Sequence, residues 1–180
     1  CTPAASLNGF RRSIREWGPD NETMIYWHGR MDSKVLILTP NTTVVYTFMW
    51  IDLKDGPMVM ETPPNVLGII DNFWFHYVTD FGNAGPDKGK GGKYLFLPPG
   101  NRDEEPEGHF VVRSASYRVW VMMRGFGEVG TGEQAVDWFR KRLKVYPLAT
   151  GARPGTFTNA TGMGINPLPP EDGSAFEMLD

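Results

Sequence analysis

Carboxylates such as Asp52, Asp71 and Asp80 are of the type that pairs for general acid–base work. Each stands near the end of an apolar run, where capping and turn roles are commoner. Arg113 and Arg124 bracket what reads as the last hairpin, and a buried arginine there calls for an internal carboxylate or a bound anion. The histidines, His28, His76 and His109, are scattered. None has the i, i+2 or i+4 spacing that lets two imidazoles share a metal from one element, so no metal is expected. Cys1 is the single cysteine, which excludes an intrachain disulfide and a thiolate cage. Ser114-Ala115-Ser116 lacks the flanking glycines of a nucleophile elbow. Gly85-Pro86-Asp87-Lys88-Gly89-Lys90-Gly91 looks like a phosphate loop but departs from one. Three residues rather than four separate Gly85 from Gly89, and Gly91 follows Lys90 where Ser or Thr would hold magnesium. It reads as a solvated hairpin loop, and no cofactor is expected.

Composition agrees with that restraint. Eighteen basic residues against twenty-one acidic ones give a net charge of −3, which argues against a dedicated nucleic-acid binder. No apolar run approaches the roughly 18 residues needed to span a bilayer. Glycine and proline make up about a fifth of the 180 residues, pointing to many turns, while 41% hydrophobic residues supply a core.

The elements that would position these groups follow from periodicity. Leu7, Phe10, Ile14 and Trp17 recur at intervals of three and four, predicting a short amphipathic helix. The period then changes to two. Residues 35–39 read as a strand buried on both faces, and 44–51, rich in aromatic and β-branched residues, as a stronger one. Asp55-Gly56-Pro57 predicts a turn returning into Met58-Val59-Met60-Glu61 as a hairpin partner. Strands follow at 66–70, 73–78, 94–97, 110–113 and 117–123, about seven in all, spaced as a β-sandwich requires. Ala135, Phe139, Leu143 and Tyr146 mark a helix stopped by Pro147, and residues 150–170 read as an extended linker. The chain closes on a helix start at Pro169-Pro170-Glu171, expected to lead into a following domain. Tyr46, Phe48, Trp50, Phe73, Trp74, Phe75, Tyr77 and Trp120 are read mainly as core, with a ligand groove as the alternative.

The order of these pieces resembles the 1254 family of domains of unknown function. The resemblance rests on Thr39-Pro40-Asn41, Tyr46, Trp50-Ile51-Asp52-Leu53 and Gly56-Pro57. It continues through Asp71-Asn72-Phe73, Asn83, Gly92-Lys93-Tyr94, Pro99-Gly100, Arg113-Ser114, Val119-Trp120-Val121 with Arg124, and Tyr146-Pro147-Leu148. It covers roughly residues 33 to 148. It implies a mainly β, immunoglobulin-like sandwich with a short N-terminal helix and a C-terminal helical segment. It also implies fusion to a jelly-roll-like C-terminal domain of the 1214 family, and export from a bacterial cell. No family-wide activity exists from which catalytic residues could be carried over. Where many relatives have Asn-Asp-Thr-Leu-Tyr, this chain has Thr42-Thr43-Val44-Val45-Tyr46 and lacks the acidic side chain.

The expected organisation is therefore a helix and lead-in at 1–32, a β-sandwich at 33–128, and helix, linker and the start of a following domain at 129–180. The favoured role is a non-catalytic binding or structural module of a larger, exported protein. The partners are that following domain and a small-molecule ligand, with no nucleic acid and no membrane span; self-association is left open. The alternative is a hydrolase or other small-molecule enzyme with its pocket at the domain interface. Under it Asn41 is the hydrogen-bond donor, Asp52 the base, and Arg113 and Arg124 the anion clamp. No metal site accompanies either reading.

Overall fold

The computed structural model describes residues 2–37, 41, 43–102, 105–126, 133–153 and 155–179. The chain is mainly β. Helix α1 (Thr2–Arg15) opens it, followed by β1 (Thr23–Tyr26), β2 (Val45–Asp52), β3 (Met58–Thr62), β4 (Val66–Asn72) and β5 (Tyr77–Gly82). Then come β6 (Gly92–Leu97), β7 (Phe110–Arg113), β8 (Arg118–Gly125), α2 (Glu133–Arg142), β9 (Lys144–Pro147) and β10 (Thr156–Asn159). A short 3-10 helix, Gly173–Leu179, lies last. The strands form two open sheets: six in the order β10-β1-β2-β8-β4-β5, and four in the order β7-β6-β3-β9.

The period of two in β2 decides the layering. Val45, Met49 and Ile51 point into a core shared with the four-stranded sheet, where they meet Met58, Met60, Tyr94, Phe96 and Val145; α2 adds Ala135 and Phe139. The alternate residues Tyr46, Phe48 and Trp50 point to the other side, where α1 covers them with Leu7, Phe10 and Ile14. Each of those three helix side chains contributes about 2 kcal/mol of gross burial energy. The helix begins earlier than its apolar stripe suggests. Pro3 suits the first turn, the good helix formers Ala4 and Ala5 are buried, and Arg12 and Arg15 face the negative C-terminal end of the dipole. Trp17 falls beyond it.

Several expectations are corrected. Residues 45–52 and 58–62 do not form a hairpin, because β2 pairs with β1 and β8 while β3 pairs with β6 and β9 in the other sheet. Seven of the eight residues of β2 are buried, as befits a strand flanked on both edges, and the Asp55-Gly56 turn carries the chain across the core. For the same reason β7 and β8 are not a hairpin, and Arg113 and Arg124 lie in different sheets. Residues 73–75 are a turn between β4 and β5 rather than the start of a strand. Tyr146 sits in β9 opposite Val59, not on the helix. The linker contains β10, which lies parallel to β1. Of the strand expected at 35–39, Val35 makes a single bridge to Ile165. Leu38, Thr39 and Pro40, like Cys1 and Thr42, lie outside the described residues.

The glycine/lysine loop is likewise no solvated hairpin. It crosses from β5 in one sheet to β6 in the other and is built around Asp87, which is buried. The Asp87 carboxylate accepts from Gly82 N–H at 2.7 Å, Gly91 N–H at 2.9 Å and the Tyr94 hydroxyl at 2.5 Å. Gly82, Gly89 and Gly91 take positive φ here, and a Cβ on Gly82 would meet the Val66 carbonyl oxygen at 2.1 Å. Burial first, then the hydrogen bond and charge of Asp87, push the Tyr94 hydroxyl well above the usual tyrosine range.

The final 3-10 helix packs on α1. Asn8 donates its side-chain amide to the Met178 carbonyl, Arg12 donates to the Glu177 carbonyl at 2.7 Å, and Met178 is buried.

Candidate ligand-binding groove

The four residues proposed from sequence do not share one cleft. Asp52, at the end of β2, accepts from Arg118 Nε at 3.4 Å and from Lys54 N–H at 3.0 Å, and its backbone exchanges two hydrogen bonds with the Asn21 side chain. Arg113 is exposed on β7, paired with Glu105, and donates to the Asn101 carbonyl at 3.3 Å. Asn41 and Arg124 do approach each other through Tyr46. The Asn41 N–H donates to the Tyr46 hydroxyl at 3.0 Å, and the Arg124 guanidinium lies 5.5 Å from the same ring. Arg124 Nε is buried without an acceptor among the described residues. The Asn41 side chain is occupied locally, accepting from Thr43 N–H and Oγ1 at 2.7 Å each. In the β2–β8 register Tyr46 faces Arg124 and Asp52 faces Arg118. Asp52 thus stands six residues, about 20 Å, from that cluster.

A better-formed site lies beside α1. The helix leaves part of the outer face of the six-stranded sheet uncovered, and a groove of about 450 Å³ runs there. Thr2, Pro3, Ser6, Leu7 and Phe10 form one wall, Leu36 and Ile37 a second, and Pro167 and Leu168 a third, with Trp120 and Phe75 completing it. Thr2 and Ser6 supply the hydroxyls; the rest is apolar. Leu36, Phe75 and Leu168 are 46%, 49% and 60% exposed, which is unusual for adjacent large apolar side chains. Behind them the aromatic rings interlock. Phe48 stacks on Trp120 at 5.6 Å, while Phe10 and Trp27 meet Phe48 edge-on at 5.2 and 5.5 Å.

Phe75 reaches the groove through a strained turn. Asn72 Oδ1 accepts from Trp74 N–H at 2.9 Å and His76 N–H at 3.1 Å, and the Asn72 carbonyl accepts from Phe75 N–H at 3.0 Å. The Phe73 N–H is taken by Ser116 Oγ at 3.0 Å. So held, Phe75 adopts φ 61°, a left-handed conformation costly for a bulky residue, and its ring leans on Trp120 at 5.9 Å.

Two of the three aspartates noted in the sequence meet beside this turn. Asp71 of β4 pairs in register with Trp120 of β8, so their side chains share the outer face. Asp80 of β5 pairs with Ile69, two residues along β4, and lies on that face too. Asp71 is only 6% exposed, and burial, then the charge of Asp80, raise its carboxyl above the usual aspartate value. Asp80 accepts from the Tyr77 hydroxyl at 3.2 Å. Neither carboxyl has a cationic partner among the described residues. The nearest arginines on this face are engaged elsewhere, Arg118 with Asp52 and the Phe73 ring, Arg124 with Tyr46. Among the described residues no group of three or more His, Cys, Asp or Glu side chains could hold a metal, and no helix is long and apolar enough to cross a membrane.

Sequence reasoning named Phe75 and Trp120 but not the groove they line, and Asp71 and Asp80 but not their place on the face beside it. The signal was the aromatic run at 73–77 directly after Asp71-Asn72, an Asx-type turn sequence that strand propensity masked.

A family described as a protein of unknown function (DUF1254) matches residues 21–147. The chain belongs to that family. The match spans β1 to β9 and so contains the four-stranded sheet, five of the six strands of the other, the Asn72 turn and the Asp71–Asp80 pair of this DUF1254 domain. The fold is similar to the crystal structure of the VPA0106 protein from Vibrio parahaemolyticus, with a TM-score of 0.56 and 17% identity. That likeness covers 87% of this chain but 40% of the other, so the DUF1254 chain spans about two-fifths of the length of that relative. No curated protein matches the chain.

Proposed function

We propose that this domain is a non-catalytic binding module that takes an apolar small molecule in the groove between α1 and Trp120. The observation that carries the reading is Phe75, half exposed at positive φ, held by Asn72 against Trp120 in the wall of an open apolar groove. Strain and exposed apolar surface both cost stability, and a bound ligand would offset both. The wider setting follows from family resemblance: an immunoglobulin-like sandwich within an exported protein, joined to a C-terminal domain. The greater length of the Vibrio relative is compatible with such a partner.

The test is titration of the tryptophan emission with a series of neutral alkanols. Affinity should rise with chain length up to the volume of the groove, and Phe75→Ala should weaken it by roughly tenfold. A response independent of chain length, or unchanged by Phe75→Ala, overturns the reading. The enzyme alternative has less support, because Asp52 and Arg124 stand far apart in one sheet and Arg113 lies in the other. It predicts reproducible turnover of an ester, glycoside or phosphate that is lost with Asp52→Asn or Arg113→Ala.

A further inference from the structure

We propose that the ligand is an organic cation, with its charged head at Asp71 and Asp80 beside the rings of Phe75 and Tyr77 and its apolar part along the groove. The inference deepens the binding reading and rests on it. Asp71 is more than nine-tenths buried, its carboxylate accepts no hydrogen bond and forms no ion pair among the described residues, and it stands on the same face as a second carboxylate. Elsewhere the half-buried and buried carboxylates are matched: Asp20 with Arg11, Asp52 with Arg118, Glu61 with Lys144, and Asp87 with three donors. Asp80 accepts only from the Tyr77 hydroxyl, and Asp71 has no such contact, so the two carboxylates face each other's charge with no cation between them among the described residues. A cation placed between them removes that repulsion.

The surroundings select the kind of cation. A hard divalent ion needs six or more oxygen ligands, and the described residues gather no such set here. Aromatic rings are present instead. Phe75, on the turn flanking the pair, and Tyr77, which opens β5 opposite Asp71, are 49% and 62% exposed, and Trp120 is in register with Asp71. Ring faces attract weakly hydrated ammonium groups through their quadrupoles. A carboxylate pair, rings and an adjoining apolar channel together fit an amine or quaternary ammonium that carries an alkyl or aryl tail.

Calorimetry on the whole chain with hexyltrimethylammonium, 1-hexanol, hexyl sulfate and calcium chloride separates the possibilities. The expected result is a roughly tenfold preference for the ammonium over hexanol, with hexyl sulfate weakest. The Asp71→Asn/Asp80→Asn double variant should reduce that preference to parity while leaving hexanol binding unchanged. The trimethylammonium protons should shift upfield in the NMR spectrum on binding, as ring stacking demands, and Phe75→Leu should remove most of that shift. Circular dichroism of each variant establishes that it is folded, and the shift on the unmutated chain stands whether or not a variant folds. If hexanol binds and the ammonium binds no better, or if calcium displaces it, this inference falls and the groove reading survives. If neither hexanol nor the ammonium binds, the groove reading falls and takes this inference with it.

Discussion

Replacing Asp87 by alanine removes the acceptor for three donors at once: two backbone N–H groups, at Gly82 and Gly91, and the Tyr94 hydroxyl. The site is buried, so water replaces the carboxylate poorly. An unsatisfied buried donor costs about 1–3 kcal/mol, and loss of the buried charge returns part of that total. The net expectation is a loss of about 4 kcal/mol. For a chain of this length, it lowers the thermal midpoint by roughly 8–16 °C. Asp87→Asn keeps the shape and one acceptor but turns an amide N–H₂ toward a donor, and should cost about half as much. Tyr94→Phe should cost about 1 kcal/mol, and less than that when added to Asp87→Ala, because the hydroxyl has then lost its partner already. Urea unfolding followed by tryptophan emission measures the four variants against the unmutated chain, with an unchanged dependence on denaturant as the check on two-state behaviour. A loss below about 1 kcal/mol for Asp87→Ala would refute the claim that this carboxylate organises the crossing between the sheets.

Other expectations follow from the same contacts. The Asp71 carboxyl is raised in the folded state, so stability falls as pH rises from the unfolded value through the folded one; Asp71→Asn should flatten that limb and be more stable at neutral pH, read from midpoints across pH 3–8. Burial alone would raise Glu61, but the Tyr146 hydroxyl at 2.8 Å and the Lys144 ammonium at 3.1 Å outweigh it and lower the carboxyl; its stabilisation is therefore present above the unfolded value and lost as acid protonates it. Glu61→Gln should cost about 1 kcal/mol at neutral pH and remove that acid dependence, as urea midpoints will show. Arg11 and Asp20 form an ion pair with side chains only 7% and 9% exposed, so Arg11→Ala should cost about 3–5 kcal/mol, while replacing both partners with apolar residues should cost much less in the same denaturation assay. A Cβ on Gly68 would stand 2.0 Å from the Phe81 ring in the core; Gly68→Ala should lose about 3 kcal/mol, partly recovered by adding Phe81→Leu.

What the sequence disclosed and what it concealed divide along physical lines. The spacing of Leu7, Phe10 and Ile14 and the aromatic and β-branched run from Val45 to Ile51 were legible because each encodes burial sustained over several residues, on one face of the helix and on both faces of the strand. Which sheet a strand joins leaves no such mark. Met58 to Glu61 alternates as well in the second sheet as it would have done beside β2. Strand β10 was missed because Thr156-Phe157-Thr158 is too short for a period and is recognisable only against β1. At residues 73–75 the aromatic propensity for strands competed with one side chain, Asn72, whose oxygen turned the chain instead. The site was half legible. Asp71 and Asp80 stood out as carboxylates, but nine residues of separation do not say that a turn will fold them onto one face. Asp52, singled out with them, found its arginine.

The parallel zip of residues 23–26 with residues 156–159 has a temporal consequence. On a ribosome the first strand emerges with one of its edges unmatched and must wait for about 130 further residues before that edge is closed. Topologies of high contact order fold slowly, and an open edge invites pairing with another nascent copy. The strand's four residues are all buried in the finished fold, so during synthesis they form a sticky segment that a chaperone would find early and release late.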